Sequence, residues 1–377
     1  MKVAVAIDSF KGSLSSLQAG MAVKEGIKRV FQDSDVEIFP IADGGEGTVE
    51  AMSLIDGSTK QKVTVHGPLQ KQLCAEYVII ENTAVIEMSA AAGITLIDKK
   101  DLNPLETTTY GVGEIILDAI NKGCRNFIIG IGGSATNDGG TGMLKALGFE
   151  FKDCHGNEIP QGAKGLQSLC SIKTENVVKE LGECKFRIAC DVKNPLCGNN
   201  GCSAVYGPQK GATPQMIKDM DKWLQGYSEI VKNINADADP DFPGAGAAGG
   251  MGFAFYAFLN GELKPGIELI MSEINLEAHI KDADIVITGE GRLDGQSAMG
   301  KVPVGVAKLA KKYNKPVIAF SGCVTEDASL CNQHGIDAFF PILRTPCTLS
   351  EAMDEENAFN NLKATATQVF SLIKTFR

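Results

Sequence analysis

The sequence predicts an α/β protein in which an open parallel sheet is assembled from two distant parts of the chain, with a mixed α/β segment inserted between them. Three observations carry this. The strand-like run Lys2–Ile7 ends in Asp8-Ser9-Phe10-Lys11-Gly12-Ser13. The run Val36–Ala42 ends in Asp43-Gly44-Gly45-Glu46-Gly47. Far beyond both, Asp284–Thr288 ends in Gly289-Glu290-Gly291-Arg292-Leu293-Asp294. Each loop leads into a helix-like stretch. In an open parallel sheet such loops share the carboxyl edge, where ligands bind.

The first 60 residues read as β-α-β-α. Val3, Val5 and Ile7 alternate with small residues; Leu14, Leu17, Met21 and Ile27 then recur near helical spacing, with Ser13, Ser15 and Ser16 as candidate caps. Thr48–Leu54 reads as a helix stopped by Gly57. Residues 62–97 are rich in Val, Ile and Thr, which predicts antiparallel or mixed strands at Lys62–Val65, Tyr77–Glu81 and Ala84–Met88. A helix over Thr107–Asn121, a buried strand Phe127–Ile131, a long glycine loop and a helix Met143–Leu147 follow. After the irregular 232–250 segment the first style returns. Ile285–Ile287 is a strand, Val302–Tyr313 a helix with Pro303 in its first turn, Pro316–Phe320 and Ala338–Leu343 strands, and Ala358–Ile373 a closing helix. Domain boundaries are expected at about 65 and 280, giving 1–65 plus 281–377 as one domain and 66–280 as the insertion carrying the glycine loops.

Composition narrows the function. The chain has 377 residues, a net charge of −10, 44% hydrophobic and 22% charged residues. With no Lys/Arg block, nucleic acid is not an expected partner, because backbone binding needs clustered cations. Met1-Lys2 and five apolar residues before Asp8 do not make a signal peptide, and no apolar run approaches the length of a membrane span. The expected location is therefore cytoplasmic. Eleven cysteines at irregular spacing fit no zinc pattern and are expected as reduced, mostly buried thiols. The four histidines are scattered, which gives no support to a zinc site or a serine–histidine hydrolase.

Several motifs carry candidate chemistry. Gly132-Gly133-Ser134-Ala135-Thr136-Asn137-Asp138-Gly139-Gly140-Thr141-Gly142 lies between a strand and a helix. Small residues expose backbone N–H groups and a helix start adds positive potential, so the run suits phosphate; the structural alternative is a tight turn capped by Asp138 or Thr141. Asp191, Asn194 and Pro195 follow the apolar strand Phe186–Cys190, so Asp191 is a candidate base, or else the acceptor of an Asx turn. Gly295-x4-Gly300-Lys301 falls short of a P-loop because Val302 replaces the metal-binding hydroxyl. Gly244-Ala245-Gly246-Ala247-Ala248-Gly249 spells a dinucleotide fingerprint but follows no strand, and the Asp237/Asp239/Asp241 spacing lacks the rest of a calcium loop.

Taken together, Ala6–Ser13, Ile41–Thr48, Gly130–Gly140, Asp191–Leu196, Gly207–Gly211, Pro243–Gly252, Thr288–Asp294 and Gly300–Pro303 resemble the bacterial type I glycerate kinase family, over nearly the whole chain. The resemblance implies a flavodoxin-like three-layer domain with an inserted mixed α/β domain. It implies ATP-dependent phosphorylation of D-glycerate, with Mg²⁺, to 2-phosphoglycerate or 3-phosphoglycerate plus ADP. The enzyme class is then a phosphotransferase with an alcohol acceptor. The expected partners are D-glycerate and ATP, with neither nucleic acid nor membrane, and a homodimer is left open.

On the matched segments we assign Asp191, Lys11 and Arg292 to catalysis. Asp8, Ser9, Asn194, Glu290, Asp294 and Lys301 are assigned to substrate. Gly132, Gly133, Ser134, Thr136, Asn137, Gly139 and Gly140 are assigned to ATP, and Asp43, Glu46 and Asp138 to the metal. Two other classes stay open at this point: a nicotinamide-dependent hydroxy-acid oxidoreductase, and a non-catalytic small-anion-binding protein.

Overall fold

The computed structural model describes residues 1–376. In chain order the strands are β1 (Lys2–Ile7), β2 (Asp35–Ile38), β3 (Ser58–His66), β4 (Gln72–Ile80), β5 (Thr83–Glu87), β6 (Asn126–Gly130) and β7 (Glu150–Lys152). They continue with β8 (Ser171–Lys173), β9 (Lys185–Ala189), β10 (Glu262–Lys264), β11 (Ile285–Leu293), β12 (Val317–Val324) and β13 (Ala338–Pro341). The chain divides into two compact units, Met1–Asp43 with Glu50–Ile55 and Ile267–Arg377, and Gly44–Val49 with Asp56–Gly266.

In the first unit five parallel strands lie in the order β13-β12-β11-β1-β2. Counted along this unit's own strands, that is the 2-1-3-4-5 order of flavodoxin-like folds. The strand order reverses between β1 and β11, where Val3 pairs with Ile285 and Ile7 with Gly289. Val3 through Ile7 are all buried, as a parallel strand covered on both faces requires. Helix Ser16–Val30 starts at a capping box, with the Gln18 N–H donating to Ser15 Oγ and the Ser15 N–H to Gln18 Oε1. Its Ala19, Val23 and Ile27 share a core with Leu362, Ala366 and Phe370 of the closing helix Glu355–Thr375.

The second unit holds a six-stranded sheet, β10-β9-β6-β5-β4-β3. The meander β3-β4-β5 is antiparallel, and β5, β6, β9 and β10 are parallel. Phe127 on β6 stacks on Phe186 of β9 with centroids 4.9 Å apart. A separate hairpin, β7 with β8, carries an unexpected disulfide between Cys154 and Cys170. The antiparallel register sets Lys152 opposite Ser171 and so brings the flanking residues together, with 5.3 Å between the two Cα atoms. For these two cysteines the expectation of free thiols is corrected.

Two further expectations change. The boundaries fall near 56 and 266 rather than 65 and 280, because β3 is paired along its whole length with β4 and the 267–282 helices belong with the parallel sheet. The third acidic loop is not a loop at its start: β11 continues through Glu290 and Arg292 to Leu293, paired with Ser321 to Val324 of β12.

Candidate active site

In the first unit the carboxyl ends of the strands gather Asp8, Asp43, Lys11 and Glu290. Asp8 follows β1 directly, its N–H donates to the Gly289 carbonyl of β11, and its Oδ1 accepts from the Ser9 N–H at 2.7 Å. It therefore stands at the reversal point of the sheet. Burial pushes its carboxyl up to about 7, helped by the charge of Asp43 and opposed by the Ser9 N–H and Lys11. Glu290 is 7% exposed and also raised, mainly by burial, while the Ser297 hydroxyl that donates to it and the nearby Lys301 act the other way.

Asp294 organises the next turn by accepting from the N–H groups of Gln296 and Ser297. Lys301 then stands at the start of helix Val302–Lys311. Lys11 is exposed, and Arg292 is exposed with its Nε 3.4 Å from Asp294 Oδ2. Buried acids beside exposed cations, delivered by several strands, form an edge able to hold an anion and hold a proton near neutral pH.

In the second unit the same edge rule applies to β5, β6, β9 and β10. Gly44 lies across the ends of β6 and β9. Its carbonyl would be 1.8 Å from a Cβ on Gly130, and a Cβ on Gly44, whose φ is +84°, would be 2.3 Å from that of Ala189. Glycine is required at both positions. Glu87, at the end of β5, accepts the Val49 N–H at 2.7 Å and so pins the other side of this loop. Burial holds the Glu87 carboxyl above its ordinary range, and Glu46 adds to the shift. Glu46 itself is exposed. Asp191 follows β9, is exposed, and accepts the Gly266 N–H at 3.0 Å. Asn194 is tied into the same turn, donating to the Asn200 carbonyl and accepting from the Tyr206 hydroxyl at 2.7 Å.

The glycine loop after β6 divides into two parts. Gly132 and Gly133 are exposed, while Ser134 through Gly140 are buried. Within the buried part three backbone donors are already engaged: Ala135 N–H on Ala92, Gly139 N–H on Gly249, and Gly140 N–H on Asp138. Asp138 is fully buried and accepts four bonds, from the Thr109 N–H and hydroxyl (2.9 Å each), the Gly140 N–H (3.1 Å) and the Gly142 N–H (3.2 Å). Burial raises its carboxyl and these donors oppose the rise. The carboxylate is thus fully buried and committed to four loop donors, which favours an organiser of the loop over the metal ligand expected from the sequence.

The Gly244–Gly249 run is likewise explained by packing. Ala248, Gly249 and Gly250 are left-handed, and a Cβ on Gly249 would lie 2.1 Å from the Thr136 carbonyl. Two glycine segments thus meet backbone to backbone, and no strand precedes the run to make a dinucleotide cradle.

Sequence reasoning placed Asp8, Ser9, Asp43, Glu290, Asp294 and Lys301 on the carboxyl edge of one sheet. Glu46, expected beside Asp43 on that same edge, belongs instead to the second unit, where Gly132, Gly133, Asp191 and Asn194 follow the ends of β6 and β9. Sequence reasoning placed Thr136, Asn137, Gly139 and Gly140 at a ligand, whereas they are buried behind the exposed turn. It missed Glu87, although an acid ending an apolar strand is the same signal that singled out Asp191. It also missed Lys210, a buried lysine beneath the glycine loop, whose burial no local pattern announces. Among the described residues no three His, Cys, Asp or Glu side chains gather as a metal cluster, and no helix is long and apolar enough to cross a membrane.

The glycerate kinase family matches residues 3–374. A protein of Escherichia coli K12 named glycerate 2-kinase is 48% identical over 364 residues, covering 96% of this chain and 95% of its own. A glycerate kinase of Haemophilus influenzae is 45% identical, covering 98% of each chain. One from Bacillus subtilis is 43% identical, covering 99% and 98%. A crystal structure from Salmonella typhimurium LT2, provisionally named glycerate kinase 2, superposes with a TM-score of 0.92 at 46% identity, covering 100% of this chain and 98% of that one.

Proposed function

The chain belongs to the glycerate kinase family and is an enzyme, and from that premise we propose that it transfers the terminal phosphoryl group of ATP to the C2 hydroxyl of D-glycerate, giving 2-phosphoglycerate and ADP. The observation that carries the choice of C2 is the near-full-length identity to a protein named glycerate 2-kinase. We place the chain in the type I branch, whose segments it resembles.

Phosphoryl transfer needs positioning and charge neutralisation more than covalent chemistry. The exposed turn Gly132-Gly133 offers backbone donors to the nucleotide phosphates. Asp191, exposed at the end of β9 and steadied by the Gly266 N–H, takes the proton of the substrate hydroxyl. Lys11 and Arg292 hold the glycerate carboxylate, Arg292 with a fork that matches its geometry. Asp8, Glu290, Asp294 and Lys301 shape the substrate's surroundings, and Ser9 and Asn194 steady Asp8 and the Asp191 turn.

Mg²⁺ binds through one or two carboxylates plus phosphate oxygens, and Asp43 and Glu46 are the hard donors that suit it. When bound it would neutralise charge on the phosphates. The negative net charge and the absence of a cation block support small molecules rather than nucleic acid as partners, and we place the enzyme in the cytoplasm.

Phosphorus NMR of the protein with Mg-ATP and D-glycerate tests the reading. The expected spectrum gains ADP and a 2-phosphate ester. A 3-phosphate ester would overturn the choice of hydroxyl, and absence of ADP would overturn the kinase reading.

A further inference from the structure

Lys210 is 1% exposed, yet among the described residues no carboxylate forms an ion pair with it. It ends the short turn Pro208–Lys210 and reaches beneath the glycine loop, where its Nζ donates to Ser134 Oγ at 2.8 Å and to the Thr136 carbonyl at 2.6 Å. Ser134 Oγ has one proton and two lone pairs. Because it accepts from an ammonium, its own proton must point elsewhere, and no described protein group takes it. Ser134 adjoins Gly132-Gly133, the exposed part of the loop, whose N–H groups also have no described protein acceptor. Three donors without a described partner thus lie at consecutive positions of one turn, with the Lys210 ammonium against the third.

We propose that Lys210 is a positioning residue for the nucleotide phosphates: through Ser134 it orients the hydroxyl proton outward, and its charge supports the anion held at Gly132–Ser134. This rests on the reading of that turn as the phosphate site. The surroundings fit the role. Facing Lys210 are the Cys202 thiol from helix Cys202–Tyr206 and the Asp138 carboxylate from the loop after β6. Asp138 is already engaged by four donors, and burial holds the thiol above its ordinary range. Burial accordingly brings Lys210 down to about 8. An anion arriving at the turn favours the charged ammonium, so binding takes up a proton above that value.

The test is titration calorimetry of ADP into the full-length protein at pH 8.5, in two non-phosphate buffers of different ionisation heat. Wild type is expected to bind with net proton uptake. Lys210→Arg, which keeps a charge that does not titrate, is expected to bind within about threefold of wild type without the uptake. Lys210→Met is expected to bind roughly tenfold or more weaker and to lose the uptake, and its thermal midpoint reports whether it is folded. Ser134→Ala leaves the lysine in place, decides the matter if Lys210→Met does not fold, and is expected to weaken ADP by roughly fivefold.

Unchanged uptake in Lys210→Arg, or unchanged affinity in a folded Lys210→Met and in Ser134→Ala, would overturn the inference while wild-type turnover kept the kinase reading intact. A wild type that makes no ADP from ATP and glycerate would instead overturn the kinase reading.

Discussion

Replacing Asp138 by Asn separates an organising carboxylate from a metal-binding one. Oδ2 accepts three donors, the Thr109 N–H, the Thr109 hydroxyl and the Gly142 N–H, and Oδ1 accepts the Gly140 N–H. An asparagine keeps most bonds by placing its oxygen on the three-donor side, which turns its NH₂ toward the Gly140 N–H, donor against donor. The lost charge-assisted bond is worth about 1.5–3 kcal/mol and the stranded buried donor costs about 1–3 kcal/mol. Removing a buried charge returns part of this, leaving a net loss of about 2–4 kcal/mol. Trp223, the single tryptophan, lies in helix Pro214–Val231 of the same unit, so its fluorescence follows unfolding there. With a urea slope of about 1–3 kcal/mol per molar, the midpoint should fall by roughly 1 M. An unchanged midpoint combined with a raised Mg²⁺ requirement would refute the reasoning and return Asp138 to the metal.

Three other variants probe the proposed roles. Asp191→Asn retains an oxygen for the Gly266 N–H, so the fold should survive while steady-state turnover drops by roughly 10²-fold or more and ATP affinity barely moves; near-normal turnover would take Asp191 out of the proton transfer. Lys11→Ala should raise the glycerate requirement about tenfold or more in initial-rate measurements, since an exposed lysine contributes little to stability, and unchanged kinetics would make Lys11 a solvated surface residue. Ser297→Ala removes a donor that lowers the Glu290 pKa, so that pKa rises further and the acid limb of the kcat/KM profile should move to higher pH; a stationary limb would show that ionised Glu290 is not needed.

The fold was legible wherever hydrophobic period and burial agree. β1 is apolar at every position from Val3 to Ile7 because both of its faces are buried, and the strand-end acids follow from the parallel edge. β11 was cut short because its glycines and charges look like a loop, whereas pairing with β12 supplies the strand character. The glycine loops misled for a physical reason. Gly139 and Gly249 let two backbones touch, and that demand selects the same residue types as a phosphate cradle. Asp138 misled similarly, since an acid amid glycines suits a metal and suits a nest of N–H groups equally. Lys210 falls in a matched segment, Gly207–Gly211, but its burial could not be read there, because a lysine reveals its burial only through partners distant in sequence, Ser134 and Thr136.

The pairing of β1 with β11 has a consequence for biosynthesis. Val3 leaves the ribosome 282 positions ahead of its neighbour Ile285. At about 5–20 residues per second it waits on the order of 15–60 s for that partner. Meanwhile the intervening unit has all of its own strands and can fold first. An apolar β1 meanwhile exposes the edge that β11 will cover, so nascent chains stalled before Ile285 are the natural clients of chaperones and the natural seeds of aggregation.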